Sequence, residues 1–414
     1  MSDQPTMRQF KLGVFVSERL HAGGGYQQSL NAALLTTRLC LPGWSVTAFT
    51  PHAETKDLLN SLGLSAVLVP LSRVAEAMLS VRRRVRRPGL LRRVRRLFGA
   101  NGFERAFEDA GVDLVYFTSP SDLALDLERT NFLLTVWDLC HRDELEFPEV
   151  RADREFEKRE QYYRDVLPKA VAVFSDSELG TANLVRRYAL DPARVRVLRS
   201  SPSMQTAPSA GDVADVDIRA RFGIDGDYVF YPAQFWAHKN HVYVLQAMAL
   251  LKQRHNVQLH AVFAGGDAGG TQAHVRSMAE SLGLIGHVHL AGFVPDTLMA
   301  PLYSQALALV MPTYFGPTNL PPLEALRLGT PVVYPSVLAA ASGLSDVVYG
   351  IDLADPATLS DALHALVLSR RAGQPRVDAE QVAKVLSMLD DDDARRRTLE
   401  SVLTGYAQRR ACWP

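Results

Sequence analysis

Two kinds of stretch alternate along this chain: short runs of consecutive apolar residues, and longer stretches whose apolar positions return every third or fourth residue. The first suits strands buried on both faces, the second amphipathic helices. In the first half, residues 11–17, 44–50, 65–69, 113–117, 132–137 and 171–174 read as strands, with helices over 26–39, 56–62 and 151–166. The second half repeats the pattern. Residues 228–232, 259–264, 287–290, 308–311 and 332–334 read as strands, and 273–282, 356–368 and 391–408 as helices. Such alternation predicts an α/β fold of parallel, doubly wound sheets. Between the halves, residues 200–217 (SSPSMQTAPSAGDVADVD) are rich in Ser, Pro, Ala and Gly and read as a linker. The expected division is therefore a Rossmann-like domain over 1–205, a second over 206–390, and a C-terminal helix over 391–414. That helix carries Leu399, Val402, Leu403 and Tyr406 on one side and is expected to pack across both domains.

Ligands of doubly wound sheets gather at the carboxyl ends of the strands, so the loops there are where chemistry is sought. Residues 308–331 (ALVMPTYFGPTNLPPLEALRLGTP) read as strand, turn-rich loop and short helix. Asn319 is the expected N-cap, prolines in the first turn remove only amides that lack partners anyway, and Gly329 and Pro331 stop the helix. Free amides at such a start favour an anion, and Glu324, one turn along, can accept hydrogen bonds from sugar hydroxyls. A nucleotide sugar fits both features. The competing reading is an ordinary strand–loop–helix unit in which Glu324 only compensates the helix dipole. Lys239, near the start of another helix, is unfavourable for that dipole unless an anion is present, which makes it a phosphate-binding candidate; otherwise it is a surface lysine. Gly23, Gly24 and Gly25 form a loop between the first strand and helix, allowing close backbone approach to a ligand or simply a tight turn. His141, just past the strand ending near Trp137, is a candidate general base or sugar-hydroxyl partner, or else a solvated loop histidine.

Charge and composition narrow the field. Lys+Arg and Asp+Glu both total 45, so no overall charge directs the chain to nucleic acid or membrane. Cys40, Cys140 and Cys412 have no metal spacing and suggest a reducing compartment. The first residues lack the apolar core of a signal peptide, and no apolar run approaches the roughly 18 residues of a membrane span, so a cytoplasmic protein is expected. One local signal stands out. Residues 81–100 (VRRRVRRPGLLRRVRRLFGA) interleave arginines, among them Arg92, Arg93, Arg95 and Arg96, with leucine, valine and phenylalanine, and hold no acidic residue. Such a basic amphipathic segment, near residues 82–98, can lie on an anionic membrane surface, or its arginines can be solvated or paired with acids elsewhere. No aromatic stacking platform accompanies it, so nucleic acid is the poorer reading.

With these motifs placed, the chain resembles glycosyltransferase family 4, the large retaining GT-B family, over essentially its whole length. The resemblance rests on Gly23-Gly24-Gly25, Lys239, Gly292-Phe293-Val294, the Leu320–Ala325 segment with Glu324, and Gly329-Thr330-Pro331-Val332-Val333. It implies a GT-B fold, two Rossmann-like domains facing a cleft. It also implies that Lys239 binds the donor diphosphate, Glu324 holds the nucleotide ribose, and amides around Thr318, Asn319 and Leu320 contact donor phosphate or sugar. Phe293 and Val294 would lie beside the base, and Gly23 to Gly25 would approach the reacting sugar. No cofactor or metal is implied. Three positions depart from the family pattern: Gln234 stands where arginine is usual, Gly316 where the first glutamate of a pair belongs, and Trp137 where histidine is common, with His141 four residues on. These versions resemble a branch of bacterial surface-polysaccharide transferases.

The function so implied is retaining transfer of a hexose or deoxyhexose, of mannose or rhamnose type, from a nucleotide diphosphate sugar to a lipid-linked glycan acceptor. The product would be O-antigen, capsule or exopolysaccharide, made peripherally on the inner face of the cytoplasmic membrane. Lys239, Glu324 and His141 are the candidate catalytic residues, and Gln234 completes the candidate donor set. The rivals are a nucleotide-sugar epimerase or phosphorylase on the same fold, and a catalytically silent scaffold of a polysaccharide assembly complex.

Overall fold

The computed structural model describes residues 9–19, 24–39, 41–69, 102–200, 216–267, 269–316 and 319–413. The chain divides into two units. The first takes residues 1–139, 156–201 and 391–414, and the second takes 140–155 and 202–390.

In the first unit the apolar runs become β1 (Phe10–Phe15), β2 (Trp44–Thr50), β3 (Ala66–Leu68), β4 (Leu114–Phe117), β5 (Asn131–Val136), β6 (Ala172–Ser175) and β7 (Val195–Val197). They form one parallel sheet in the order β3-β2-β1-β4-β5-β6-β7. Successive side chains of a strand point to opposite faces, so an unbroken apolar run serves two cores at once. Leu12 and Val14 of β1, Tyr116 of β4 and Phe174 of β6 join one apolar layer. Phe15, Phe117, Leu134 and Val173 join the other. The helix Asp392–Arg410 closes the first layer with Leu399, Leu403 and Tyr406. Its start is capped by the Asp391 side chain, which accepts from the Ala394 amide, and buried Arg395 donates to the Arg199 carbonyl at 3.0 Å. The sequence predicts this helix to pack across both domains; its apolar side is built into the first unit.

The second unit repeats the plan with β8 (Tyr228–Pro232), β9 (His260–Ala264), β10 (Val288–Gly292), β11 (Ala308–Val310), β12 (Val332–Pro335) and β13 (Tyr349–Ile351). Their order is β10-β9-β8-β11-β12-β13, all parallel. In both sheets the order reverses beside the first strand, between β1 and β4 and between β8 and β11. Those are the topological switch points at which doubly wound sheets take their ligands. The sequence boundary at 205/206 leaves residues 140–155 with the first domain, whereas the structure counts them with the second. The reason is local: Phe147 packs against His238, Tyr314 and Phe315 of that unit.

The pattern misses the three-residue strands β7 and β13 and the helices Glu178–Tyr188 and Ala379–Leu389. Among the described residues, no helix is long and apolar enough to cross a membrane.

Candidate functional site

The loops after β8 and β11 meet at the second unit's switch point. The β8 loop leaves the sheet at Ala233 and folds into the 3-10 turn Ala237–Lys239. Asn240, in the left-handed conformation that asparagine tolerates, then opens the helix His241–His255. The Lys239 carbonyl accepts from the Tyr231 hydroxyl at 2.8 Å, and the His238 carbonyl accepts from the Tyr314 amide of the β11 loop at 3.0 Å. A third loop is stitched alongside. Phe235 N–H donates to the Gly266 carbonyl at 3.0 Å, and a Cβ on Gly265 would come within 2.2 Å of the Ala233 carbonyl oxygen. Only glycine permits that approach.

Neither helix start at this edge is capped by its preceding side chain. Asn240 makes no capping bond to the helix it opens. Asn319, the expected cap of the helix Leu320–Arg327, occupies the N-cap position without capping. Its Nδ2 donates instead to the Gly316 carbonyl and to the Tyr334 hydroxyl, both at 2.7 Å. Both helix starts, the first of them just after Lys239, therefore have no side-chain cap among the described residues, an arrangement that favours an anion. His241, the first residue of its helix, stays neutral there: burial pushes its pKa down to about 3, and Lys239 adds to the fall.

Glu324 is fixed from behind. Its Oε2 accepts the Tyr303 hydroxyl at 2.8 Å, while the Tyr303 carbonyl accepts the Thr330 hydroxyl. Burial raises the Glu324 pKa above the ordinary carboxylate value, with the Tyr303 hydrogen bond and Arg327 pulling against it. Its Oε1 takes no hydrogen bond from the described residues, which leaves one oxygen for a ligand. Phe293 stands 61% exposed after β10, Val294 packs against the core, and Leu320 is buried.

Several expected site residues are placed differently from the sequence reading. Gln234 is engaged locally: its Oε1 accepts the Trp236 indole N–H at 2.7 Å. Gly316 adopts φ 115°, and a Cβ there would lie 2.6 Å from the Asn319 Oδ1, so the glutamate expected from the family pattern has no room in this turn. His141, a candidate general base or sugar-hydroxyl partner with a solvated loop histidine as the alternative, lies in the short helix Cys140–Asp143 and is closed to solvent. Gly24 and Gly25 open the helix Gly24–Arg38 instead of forming a loop, and a Cβ on Gly25 would meet the Trp137 ring at 3.0 Å. Tryptophan at 137 thus accounts for glycine at 25. Gly23, Thr318, Arg92, Arg93, Arg95 and Arg96 lie outside the described residues.

The sequence reading passed over other residues at the site. Glu149 Oε1 accepts the His238 amide at 2.9 Å and pairs with His238 Nδ1. The His238 ring stacks on Phe315 with centroids 3.9 Å apart. Nothing in the spacing of Phe147 or Glu149 announces a partner almost ninety positions on; His238 was visible only as Lys239's neighbour. In the first unit, Asp176 at the carboxyl end of β6 is buried, and one of its oxygens accepts from the Ser200 hydroxyl at 3.1 Å while the other has no hydrogen-bond partner among the described residues. Burial pushes its pKa up to about 7, against the pull of Ser200 and Arg199. Among the described residues no group of His, Cys, Asp and Glu is arranged to hold a metal ion.

Comparison with known proteins gives this arrangement a context. Residues 217–372 match the family Glycosyl transferases group 1, so the second unit carries a domain of that kind. A D-inositol 3-phosphate glycosyltransferase from Salinispora arenicola is 30% identical over 219 residues, covering 49% of this chain and 48% of the relative. One from Corynebacterium kroppenstedtii is 24% identical over 259 residues, covering 61% and 53%. The chain thus spans about half the length of the curated relatives it matches. Among solved structures, Anabaena HepE in complex with UDP-glucose superposes with a TM-score of 0.68 at 14% identity, covering 95% of this chain and 99% of that one. WaaG, a glycosyltransferase involved in lipopolysaccharide biosynthesis, gives 0.58 at 14% identity, covering 92% and 99%. At such identities the likeness speaks for the fold, which is GT-B.

Proposed function

We propose that this chain is a retaining hexosyltransferase. It moves a hexose or deoxyhexose, of mannose or rhamnose type, from a nucleotide diphosphate sugar to a lipid-linked glycan in bacterial surface-polysaccharide assembly. One observation carries the reading: at the β8/β11 switch point, Lys239 comes just before the helix start at His241, and the β11 loop, tied to that turn by the Tyr314 amide on the His238 carbonyl, leads to a second helix start with Glu324 one turn inside, neither start having a side-chain cap among the described residues. Lys239 and those amides hold the donor diphosphate, the open oxygen of Glu324 accepts from the ribose hydroxyls, and Phe293 and Val294 flank the base. The UDP-glucose bound by the Anabaena neighbour supports a nucleotide-sugar donor.

In this mechanism the acceptor hydroxyl attacks the anomeric carbon on the face from which the diphosphate leaves. The departing phosphate oxygen takes the acceptor proton. The protein's task is to stabilise negative charge as it grows on the leaving group, which a lysine and fixed amides do without a protein nucleophile or a metal. Gln234, tied to Trp236, contributes a dipole where the family pattern has a cation, so Lys239 is the cationic anchor of the clamp. The basic segment near residues 82–98 holds the enzyme against the anionic inner face of the membrane, where a lipid-linked acceptor is found.

The test begins with a panel of nucleotide diphosphate sugars screened by thermal shift, followed by turnover with the donor that binds. Nucleotide diphosphate is expected only when a glycan acceptor is present. Lys239→Ala is expected to cut turnover by about a hundredfold or more with the fold intact. Substantial turnover by that variant removes Lys239 from the clamp, and acceptor-independent release points to an epimerase or hydrolase.

A further inference from the structure

Glu149 belongs to no strand or loop that forms the switch point, yet it is bonded to the turn that presents Lys239. Its Oε1 takes both the backbone amide and Nδ1 of His238, and the two side chains are nearly closed to solvent, 10% and 8% exposed. His238 is held on its other sides as well. Its ring lies on Phe315, its carbonyl accepts the Tyr314 amide, and Phe147, two residues before Glu149, packs edge-on against it. The next residue is Lys239, and the one after is the left-handed Asn240 that starts the helix His241–His255. A three-residue 3-10 turn has little internal hydrogen bonding of its own, so external anchors decide where its last residue points. A carboxylate this close to an anion site would also repel a phosphate unless its own charge were engaged, and His238 engages it.

We propose that Glu149 is a positioning residue for the anion site: by fixing His238 it sets Lys239 and the following helix start toward a nucleoside diphosphate. The inference rests on the reading of Lys239 as the diphosphate anchor. Glu149 touches no substrate; it acts through His238, and Phe147 keeps water from the pair.

Calorimetric titration of UDP and, separately, of GDP into the full chain tests it, because one experiment returns both the dissociation constant and the fraction of molecules that bind. Glu149→Gln keeps the Oε1 acceptor and is expected to bind within about twofold of wild type. Glu149→Ala is expected to bind at least about tenfold more weakly at unchanged stoichiometry, the loss expected for one anchoring hydrogen bond. A purely structural role for Glu149 instead lowers the stoichiometry of the alanine variant at unchanged affinity, and that result overturns the proposal. So does an alanine variant that binds like wild type. If Glu149→Ala does not fold, Glu149→Asp serves, since it keeps the charge but withdraws the acceptor; weakened binding supports the proposal and wild-type affinity overturns it. Lys239→Ala separates the two levels of inference. If wild type binds and Lys239→Ala binds equally well, or if wild type binds neither nucleotide, the diphosphate reading itself falls and takes the proposal with it.

Discussion

At the scale of single residues, Gly316 shows how a departure from a family pattern can be structural in origin. Its positive φ and the Asn319 side chain pressed against it exclude any larger residue. Gly316→Glu is therefore expected to destabilise the second unit by about 1–3 kcal/mol without improving nucleotide-sugar binding. Thermal melting and donor titration check the two halves of that statement. Asp176 supplies a pH signature. Its pKa stands near 7 when folded against 3.8 when exposed. Below the lower value both states are protonated. As pH rises from about 4 to about 7 only the unfolded chain ionises, so stability is lost across that window and levels off above it. Asp176→Asn keeps an acceptor for Ser200 and removes the titration. The melting temperature of the variant is expected to gain on wild type from pH 5 to pH 7 and to run parallel above.

At the scale of elements, what was legible depended on whether the signal was local. The helix Leu320–Arg327 announced itself through its prolines and Gly329, because both act on their own backbone. The role of Asn319 did not, because its better partner is the Tyr334 hydroxyl on β12, and no local capping rule contains that residue. The glycines at 24 and 25 read as a ligand loop for a similar reason: the ring that requires Gly25 to be small belongs to Trp137, more than a hundred positions away. Glu149 was silent altogether. The arginine-rich segment is the element whose function is read from sequence alone, and its test is direct. Replacing Arg92, Arg93, Arg95 and Arg96 with Glu is expected to abolish sedimentation with anionic liposomes while leaving turnover on a soluble acceptor intact, and undiminished liposome binding would dismiss the segment as an anchor.

For the molecule as a whole, both parallel sheets were legible because an apolar run buried on two faces needs no knowledge of its partners. Strands such as β7, three residues long with Arg196 at its centre, lie below that threshold. The terminal helix was legible as a helix, through Asp391 and its apolar stripe, but its partner was not. Since Leu403 is fully enclosed by the first unit, Leu403→Ala is expected to cost that unit about 2–5 kcal/mol, measurable by denaturant unfolding.

The division of the chain carries one more consequence, for how such proteins can be recombined. The second unit is not a single stretch of sequence: it includes residues 140–155, which are encoded within the first half. The chain passes from one unit to the other four times, after residues 139, 155, 201 and 390. A single crossover in the linker, the natural place to exchange one second half for another, therefore parts Glu149 from His238 and gives the incoming half a foreign partner for that turn. Chimeras joined at 205/206 should work only when residues 140–155 travel with the half they serve. The second unit is inherited in two separate pieces of the gene.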